Sequence, residues 1–312
     1  MTNLDENEII RVFTKKLGLE QLDDVAQLQK GIILKGDMLV ASTDVPNAMK
    51  AWQVARKSVV SCVSDLAAKG IKPYAAIISI GIPKKYKMPY IKGLAKGFAK
   101  ASSEFGVSIV GGDTNEACDL VIDCSMIGFA LHRVPTRSGA QPGDMVVISG
   151  KFGSAPAGLA IIMRKAIPPS KLFKKQAIES VFNPRPRQHF GLALAKYFSS
   201  SIDSSDGLAI SLYELAKQAS VDILIGRIPA IDMLQMFALK NNLNVEELVF
   251  YGGEEYEIVA TIPQVKLDRA ILAAKRAGVV LHVIGEVKKG SGRVFVRNRL
   301  LERKGHRHFH RQ

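Results

Sequence analysis

The sequence predicts an α+β protein, with α/β character and mixed sheets, folded as two units of similar size. Three observations lead there. Segments with helical spacing alternate with apolar strand patterns, the signature of helices layered on sheets. The punctuation between them is short and made of glycine and proline, with no low-complexity linker. The chain has 312 residues, and at roughly 100–200 residues per domain two domains are expected. The turn-rich run Pro135-Thr136-Arg137-Ser138-Gly139-Ala140-Gln141-Pro142-Gly143 sets the expected boundary, with residues 1–137 in one domain and 138–312 in the other.

The elements follow in order. Ile9, Ile10, Val12, Phe13 and Leu17 have helical spacing that ends at Gly18. Gly31–Ala41 reads as a strand interrupted at Lys35-Gly36-Asp37. Met49 to Lys69 reads as a long helix with Trp52, Val59, Val63 and Leu66 inward, ended by Gly70 before Pro73. Ala75–Ile82 is an apolar strand, Tyr90–Phe105 a helix and Val107–Val110 a strand. The glycine pair in Gly111-Gly112-Asp113-Thr114 reads as a loop, and Leu120–Ala130 as the next strand. The second unit opens with strand Met145–Ser149, the turn Gly150-Lys151-Phe152-Gly153-Ser154 and a helix. Strand Ser200–Asp203, a helix from Ser205 to Gln218 and strand Val221–Ile225 come next. Strand Tyr256–Ile262, helix Val265–Ala277 and strands Val279–Val287 and Arg293–Val296 complete it.

Composition narrows the class. Hydrophobic residues make up 47% and charged residues 23%, too apolar for a disordered chain. The apolar runs fall short of the ~18 residues of a membrane span, and the acidic, polar start has no signal-peptide pattern. Three cysteines without a C-x-x-C pair argue against a disulfide scaffold or zinc ribbon and read as small buried hydrophobes. A soluble cytoplasmic protein is expected. The net charge of +14 attracts anions without naming one; the basic residues are widely spread, with one concentration after Lys288 in a tail rich in arginine and histidine.

Against that basic background several carboxylates stand in suggestive text: Asp23-Asp24, Asp37 beside Gly36, Asp65 in Ser64-Asp65-Leu66-Ala67-Ala68, Asp113 after a glycine pair, Asp203 and Asp206 framing Ser204-Ser205, and Glu254-Glu255 after another pair. Each has a plainer reading. Ser205 or Asp206 would cap the helix that follows, Asp113 would sit in a turn, and Asp23-Asp24 in a solvated loop. Asp65 resists such a reading, because its neighbours belong in a core and a buried carboxylate needs a partner charge or a metal. Carboxylate oxygens with no histidine or cysteine nearby suit Mg²⁺, which binds through a few carboxylates plus substrate phosphates. The common nucleotide and hydrolase motifs are missing. The turn Gly150–Ser154 leads into a helix N-terminus, where an anion would be favoured, but tight packing accounts for it equally well. His132, His189 and His282 are isolated and read as satisfied rather than ligating.

Taken in order, the blocks Asp23-Asp24, Gly36-Asp37-Met38-Leu39-Val40, Val63-Ser64-Asp65-Leu66-Ala67-Ala68-Lys69-Gly70, Gly111-Gly112-Asp113-Thr114, Arg137-Ser138-Gly139-Ala140-Gln141-Pro142-Gly143-Asp144, Asn183-Pro184-Arg185-Pro186, Ile202-Asp203-Ser204-Ser205-Asp206-Gly207-Leu208 and Gly252-Gly253-Glu254-Glu255-Tyr256 resemble the thiamine-monophosphate kinase family. That family lies in the superfamily of aminoimidazole ribonucleotide synthetase, and the resemblance covers nearly the whole chain. It implies a two-domain fold of the synthetase type, whose N-terminal domain binds ATP and Mg²⁺ and pairs strands across a homodimer. It implies transfer of the γ-phosphoryl group of ATP to thiamine monophosphate, giving thiamine diphosphate. By matching position, Asp24, Asp37, Asp65, Asp113, Asp203 and Asp206 hold several Mg²⁺ ions, and Asp37, Asp65, Asp113 and Asp203 carry the catalysis. Gly112, Asp113, Arg137 and Ser205 contact ATP, while Asp44, Glu254 and His306 fall on the acceptor side. An acceptor phosphate is already ionised near neutral pH, so positioning and charge neutralisation suffice without a strong base.

The sequence departs from the family pattern at Leu22 before the Asp pair, at Lys35 and Gly36 in place of hydroxyl residues, at Asp44 for a histidine, at Glu255 for aspartate and at His306 for an aromatic residue. A divergent archaeal-type kinase has room for these changes. The alternative is another ATP-dependent enzyme of the superfamily, acting on a different phosphorylated or amide substrate. Selenophosphate synthetase would need a reactive cysteine near the N-terminus, and the hydrogenase-maturation branch one at the C-terminus. A nucleic-acid-binding protein on a retired fold is disfavoured, since such a fold has no need of so many aspartates, and no membrane partner is expected.

Overall fold

The computed structural model describes residues 6–19 and 23–305. Two sheets organise them. Strands β1 (Ala26–Gln27), β2 (Ile32–Val40), β3 (Pro73–Ile82), β4 (Ser108–Glu116) and β5 (Val121–Phe129) form the first, in the order β1-β2-β5-β3-β4. Its pairs are antiparallel except β3–β4. That parallel pair needs a crossover, which the helix Met88–Phe105 supplies. Strands β6 (Asp144–Ile148), β7 (Ser200–Ser204), β8 (Val221–Ile225), β9 (Glu257–Pro263), β10 (His282–Lys289), β11 (Val294–Val296) and β12 (Arg299–Leu300) form the second, ordered β12-β11-β8-β10-β6-β9-β7.

The helix Ala51–Ala68 joins the two. Fifteen of its residues, from Gln53 to Ala68, are buried, so it is enclosed all round rather than amphipathic. One side packs on β2 and β5, and the C-terminal turn reaches the second sheet. There Ala67 and Ala68 share a core with Phe190, Leu194, Ile258 and Ala260. Contact with the helix Gln188–Leu194 is close enough that a Cβ on Gly191 would lie 1.8 Å from the Ala67 carbonyl oxygen. Enclosure explains the buried cations of this helix. Arg56 holds Glu104 through two hydrogen bonds of 2.8 and 2.6 Å and donates to the Pro184 carbonyl at 2.8 Å, which gives the Asn183–Pro186 block a structural task.

The second sheet is covered on both faces. Val146, Ile148, Ile202 and Val259 face the helices Ser154–Ile162, Lys171–Phe182 and Leu208–Ala219, while Val147, Ile258, Ala260 and Ile262 point the other way. The first sheet has one covered face. On β2, Ile33 and Leu39 are buried under the helices, whereas Leu34 and Met38 are 40% and 59% exposed.

Three local expectations change. The text read as a loop at residues 111–114 is part of β4, and a Cβ on Gly112 would come within 1.8 Å of the Ile78 carbonyl oxygen. The glycine is required by close approach to β3, not by a turn. The helix expected from Ser205 starts at Leu208, with Gly207 rather than Ser205 or Asp206 in the cap position. Cys62 and Cys124 are buried, but Cys118 is exposed. Among the described residues, no helix is long and apolar enough to cross a membrane.

Candidate active site

Three buried carboxylates from distant parts of the chain converge. Asp24 comes from the segment before β1, Asp65 from the helix Ala51–Ala68 and Asp203 from β7, with one oxygen of each within 4.8 Å of the others. Each lies where local structure demands it. Asp65 is on the enclosed helix, Asp203 near the end of a wholly buried strand, and Asp24 is carried in by the chain that leads to β1.

Cations hold the cluster. Lys69, whose side chain is fully buried, lies 2.6 Å from Asp23 Oδ1 and 2.9 Å from Asp24 Oδ2, and donates to the Ser201 carbonyl at 2.7 Å. Arg137 donates from Nε to Asp24 Oδ1 at 2.8 Å and makes a second bond to it from Nη2. The Arg137 backbone N–H is held by Asp23 Oδ2 at 3.0 Å. Lys35 Nζ lies 2.6 Å from Asp65 and 3.4 Å from Asp37. Asp37 therefore borders the triad through a shared ammonium.

The electrostatics divide the three acids. Burial acts to raise Asp24, but Lys69 and Arg137 outweigh it and hold the carboxyl below its usual range. Burial pushes Asp65 up to about 6 against the pull of Lys35, with Asp24 and Asp37 adding to the rise. Asp203 is driven well above the carboxylate range by burial and by the charges on Asp65 and Asp24, and its carboxyl is hydrogen-bonded to Asp65. Two adjacent acids that resist joint ionisation form a place for an added cation, which would reverse both shifts. The donors are all carboxylate oxygens, a set that fits a hard divalent ion such as Mg²⁺.

The other nominated residues are spread more widely. Asp113 is exposed on the edge strand β4, opposite Ser79 of β3, and its carboxylate accepts the Thr114 backbone N–H at 2.8 Å. Its row runs through Ser79, Asp123 and Met38, whereas Asp37 stands in the row of Cys124, Ile78 and Gly112. Neighbouring rows face opposite sides, so Asp113 and Asp37 point to opposite faces. Ser205 is half-buried and Asp206 exposed just beyond β7. His306 and Leu22 lie outside the described residues.

Lys57 brings together Asp44 and Glu254, the two described residues expected on the acceptor side. Its buried ammonium donates to the Asp44 carbonyl at 2.7 Å and pairs with Glu254 Oε1. The Asp44 carboxylate is already engaged, accepting the Val40 backbone N–H at 2.7 Å. Glu254 has a left-handed backbone, φ 63°, held by a 2.6 Å hydrogen bond from its N–H to the Ser205 carbonyl. Tyr256, at φ 52°, plants its ring in the core of the first sheet. Lys57 and Lys69 were given no role by the reading of motifs, and Lys35 was noted only as a replacement for a hydroxyl residue. The signal for Lys57 and Lys69 was cationic residues (Arg56-Lys57 and Lys69) within or at the end of an otherwise apolar helical run.

Glu255 accounts for the glycine-rich turn. Its Oε1 accepts backbone N–H groups of Gly153 at 2.6 Å and Ala155 at 3.3 Å, so an internal carboxylate occupies the helix N-terminus that sequence offered to an anion. Burial, with help from Glu257, pushes this carboxyl up to about 8 despite those donors. The folded state keeps the proton that the unfolded state releases near 4.5. This group's contribution to stability is therefore full below about 4.5 and lost as pH rises toward about 8. Glu255→Gln is expected to flatten that fall, by about 2–4 °C in melting temperature for each kcal/mol recovered. Thermal melts from pH 5 to 8 check it, and an unchanged slope would show that Glu255 is ionised throughout.

Two sheets joined by an enclosed helix, with a cation-braced acid cluster at the join, form a site with the donors to hold a divalent ion. Comparison with known proteins makes the class specific. Residues 22–130 match the family model of the AIR synthase related protein, N-terminal domain. The thiamine-monophosphate kinase of Nitrosopumilus maritimus is 43% identical over 99% of this chain and 100% of its own, and that of Pyrococcus horikoshii 34% identical over 97% and 94%. The solved structure of AaThiL complexed with AMPPCP and TMP superimposes with a TM-score of 0.88 at 27% identity, covering 99% of this chain and 98% of that one. The chain belongs to the thiamine-monophosphate kinase family.

Proposed function

We propose that this chain is a thiamine-monophosphate kinase that transfers the γ-phosphoryl group of Mg·ATP directly to the phosphate of thiamine monophosphate, giving thiamine diphosphate and ADP. The observation that carries this reading is the buried Asp24–Asp65–Asp203 triad, in a chain matched end to end by kinases of that name. The complex of the similar AaThiL with AMPPCP, a non-transferable ATP analogue, and TMP supports both ligands.

Asp24, Asp65 and Asp203 would hold Mg²⁺ with Asp37 beside them, and Asp206 would join through the bound nucleotide, whereas Asp113, on the opposite face of the first sheet, would not share that cluster. When bound, the ions neutralise the phosphates and favour approach of two anions. The protein's part is positioning. Arg137, fixed by Asp23 and Asp24, presents a guanidinium to the phosphates, while Gly112 and Ser205 line the nucleotide. Transfer is in line and needs no covalent enzyme intermediate.

Glu254 and Asp44, held together by Lys57, would shape the acceptor pocket, with His306 assigned there by the family resemblance alone. Glu254→Gln is expected to raise KM for thiamine monophosphate about 10-fold or more with KM for ATP nearly unchanged, the pattern of lost ground-state contact. Equal changes in both constants would move Glu254 off the acceptor side. The acceptor itself is tested by offering thiamine or thiamine monophosphate with Mg·ATP. Diphosphate formed from the monophosphate alone supports the reading, and its absence removes it.

The domain division at 137/138 is supported by the separation of the two sheets, whose last and first strands end and begin at Phe129 and Asp144. A homodimer through the first sheet is supported by its open face, where Leu34, Met38, Ile77 and Phe129 are exposed. A monomer in light scattering at micromolar concentration would count against it.

A further inference from the structure

Lys35 and Asp37 alternate along β2 and so share the face turned to the helix Ala51–Ala68. The Lys35 side chain is 18% exposed, and its ammonium lies 2.6 Å from Asp65 Oδ2 and 3.4 Å from Asp37 Oδ2. It thus bridges acids from a strand and a helix, the position in which a shared cation would be most effective. Charge around the cluster is also close to balance. The five carboxylates Asp23, Asp24, Asp37, Asp65 and Asp203 face Lys35, Lys69 and Arg137. Fully ionised, they leave an excess of two negative charges, which one divalent ion cancels. Without Lys35 the excess is three. A lysine ammonium is a compact point charge, suited to this substitution for a metal.

We propose that Lys35 is a built-in counter-cation that does between Asp37 and Asp65 the work of a bridging divalent ion. The nucleotide-free protein then takes a single divalent ion at Asp24, Asp65 and Asp203, and further ions arrive with the phosphates of the nucleotide. This rests on the metal reading of the triad given above. It makes Lys35 a positioning residue, which fixes how many ions the protein itself supplies and keeps Asp37 and Asp65 at a set separation before substrate binds.

The test is a titration of the nucleotide-free full chain with Mn²⁺, following free Mn²⁺ by its paramagnetic resonance signal. Wild type should bind one ion. Lys35→Met, which keeps the length of the side chain without its charge, should bind two, and Lys35→Arg should bind one. Melting temperatures with and without Mn²⁺ give a second readout that does not depend on activity. Lys35→Met should melt below wild type without metal and gain more from Mn²⁺, because Asp37 and Asp65 then repel each other until an ion replaces the ammonium. Equal stoichiometry and equal Mn²⁺ stabilisation in wild type and Lys35→Met would overturn the inference and leave the metal reading standing. Two ions bound by wild type would do the same. No Mn²⁺ bound by any of the three proteins would remove the metal reading, and this inference with it.

Discussion

Asp65→Asn is expected to lower formation of thiamine diphosphate by about 1,000-fold or more, while the protein stays folded. Asp65 stands at the centre of the cluster, in contact with Lys35, hydrogen-bonded to Asp203 and within reach of Asp24. An amide there offers a weaker oxygen and no charge, so an ion that must neutralise developing phosphate charge is bound poorly and out of place. Loss of a preorganised electrostatic element of this kind typically costs about 100- to 1,000-fold, and loss of the ion itself costs more. Stability should move the other way. Burial disfavours the charge on Asp65 and holds its pKa at about 6, so without metal the neutral amide removes a strain that grows as pH rises from the ordinary carboxylate range through about 6. Turnover and thermal melts of the same preparation check both halves. Unimpaired turnover would remove Asp65 from the site.

Lys69→Met should have the largest effect on stability, about 3–5 kcal/mol. The Lys69 ammonium is sealed from solvent and has three partners, Asp23, Asp24 and the Ser201 carbonyl on β7. Methionine fills a similar volume but leaves Asp24 buried with Arg137 as its remaining cation and strands a buried carbonyl. The lysine also ties the end of the enclosed helix to the second sheet, so the variant loosens the join at which the site is built. Urea unfolding measures it, and a loss below about 1 kcal/mol would show that Asp24 is neutral or otherwise compensated in the folded state.

Asp65 was legible because its neighbours are apolar and a carboxylate among core residues demands an explanation, and Asp203 because it stands at a strand-to-helix junction within a block of the family resemblance. Lys57 and Lys69 were not, for a physical reason. Lysine in a chain of net charge +14 reads as surface, and nothing local says that a second sheet covers the far side of the helix Ala51–Ala68. The burial of Lys57 and Lys69 is a tertiary fact. Asp113 misled in another way, since its glycine pair looks like a turn until β3, more than thirty residues earlier, is laid alongside. Parallel pairing depends on a crossover that no short window of sequence contains. The turn at Gly150–Ser154 was likewise open to an external anion until Glu255, about a hundred residues later, was seen to occupy it.

The most direct test of the account counts products. Purified protein is given Mg·ATP with and without thiamine monophosphate, ADP release is followed, and thiamine diphosphate is weighed by mass spectrometry. One diphosphate is expected for each ADP, with little ADP released when the acceptor is left out. ADP released at the same rate with or without thiamine monophosphate, and no diphosphate formed, would contradict it.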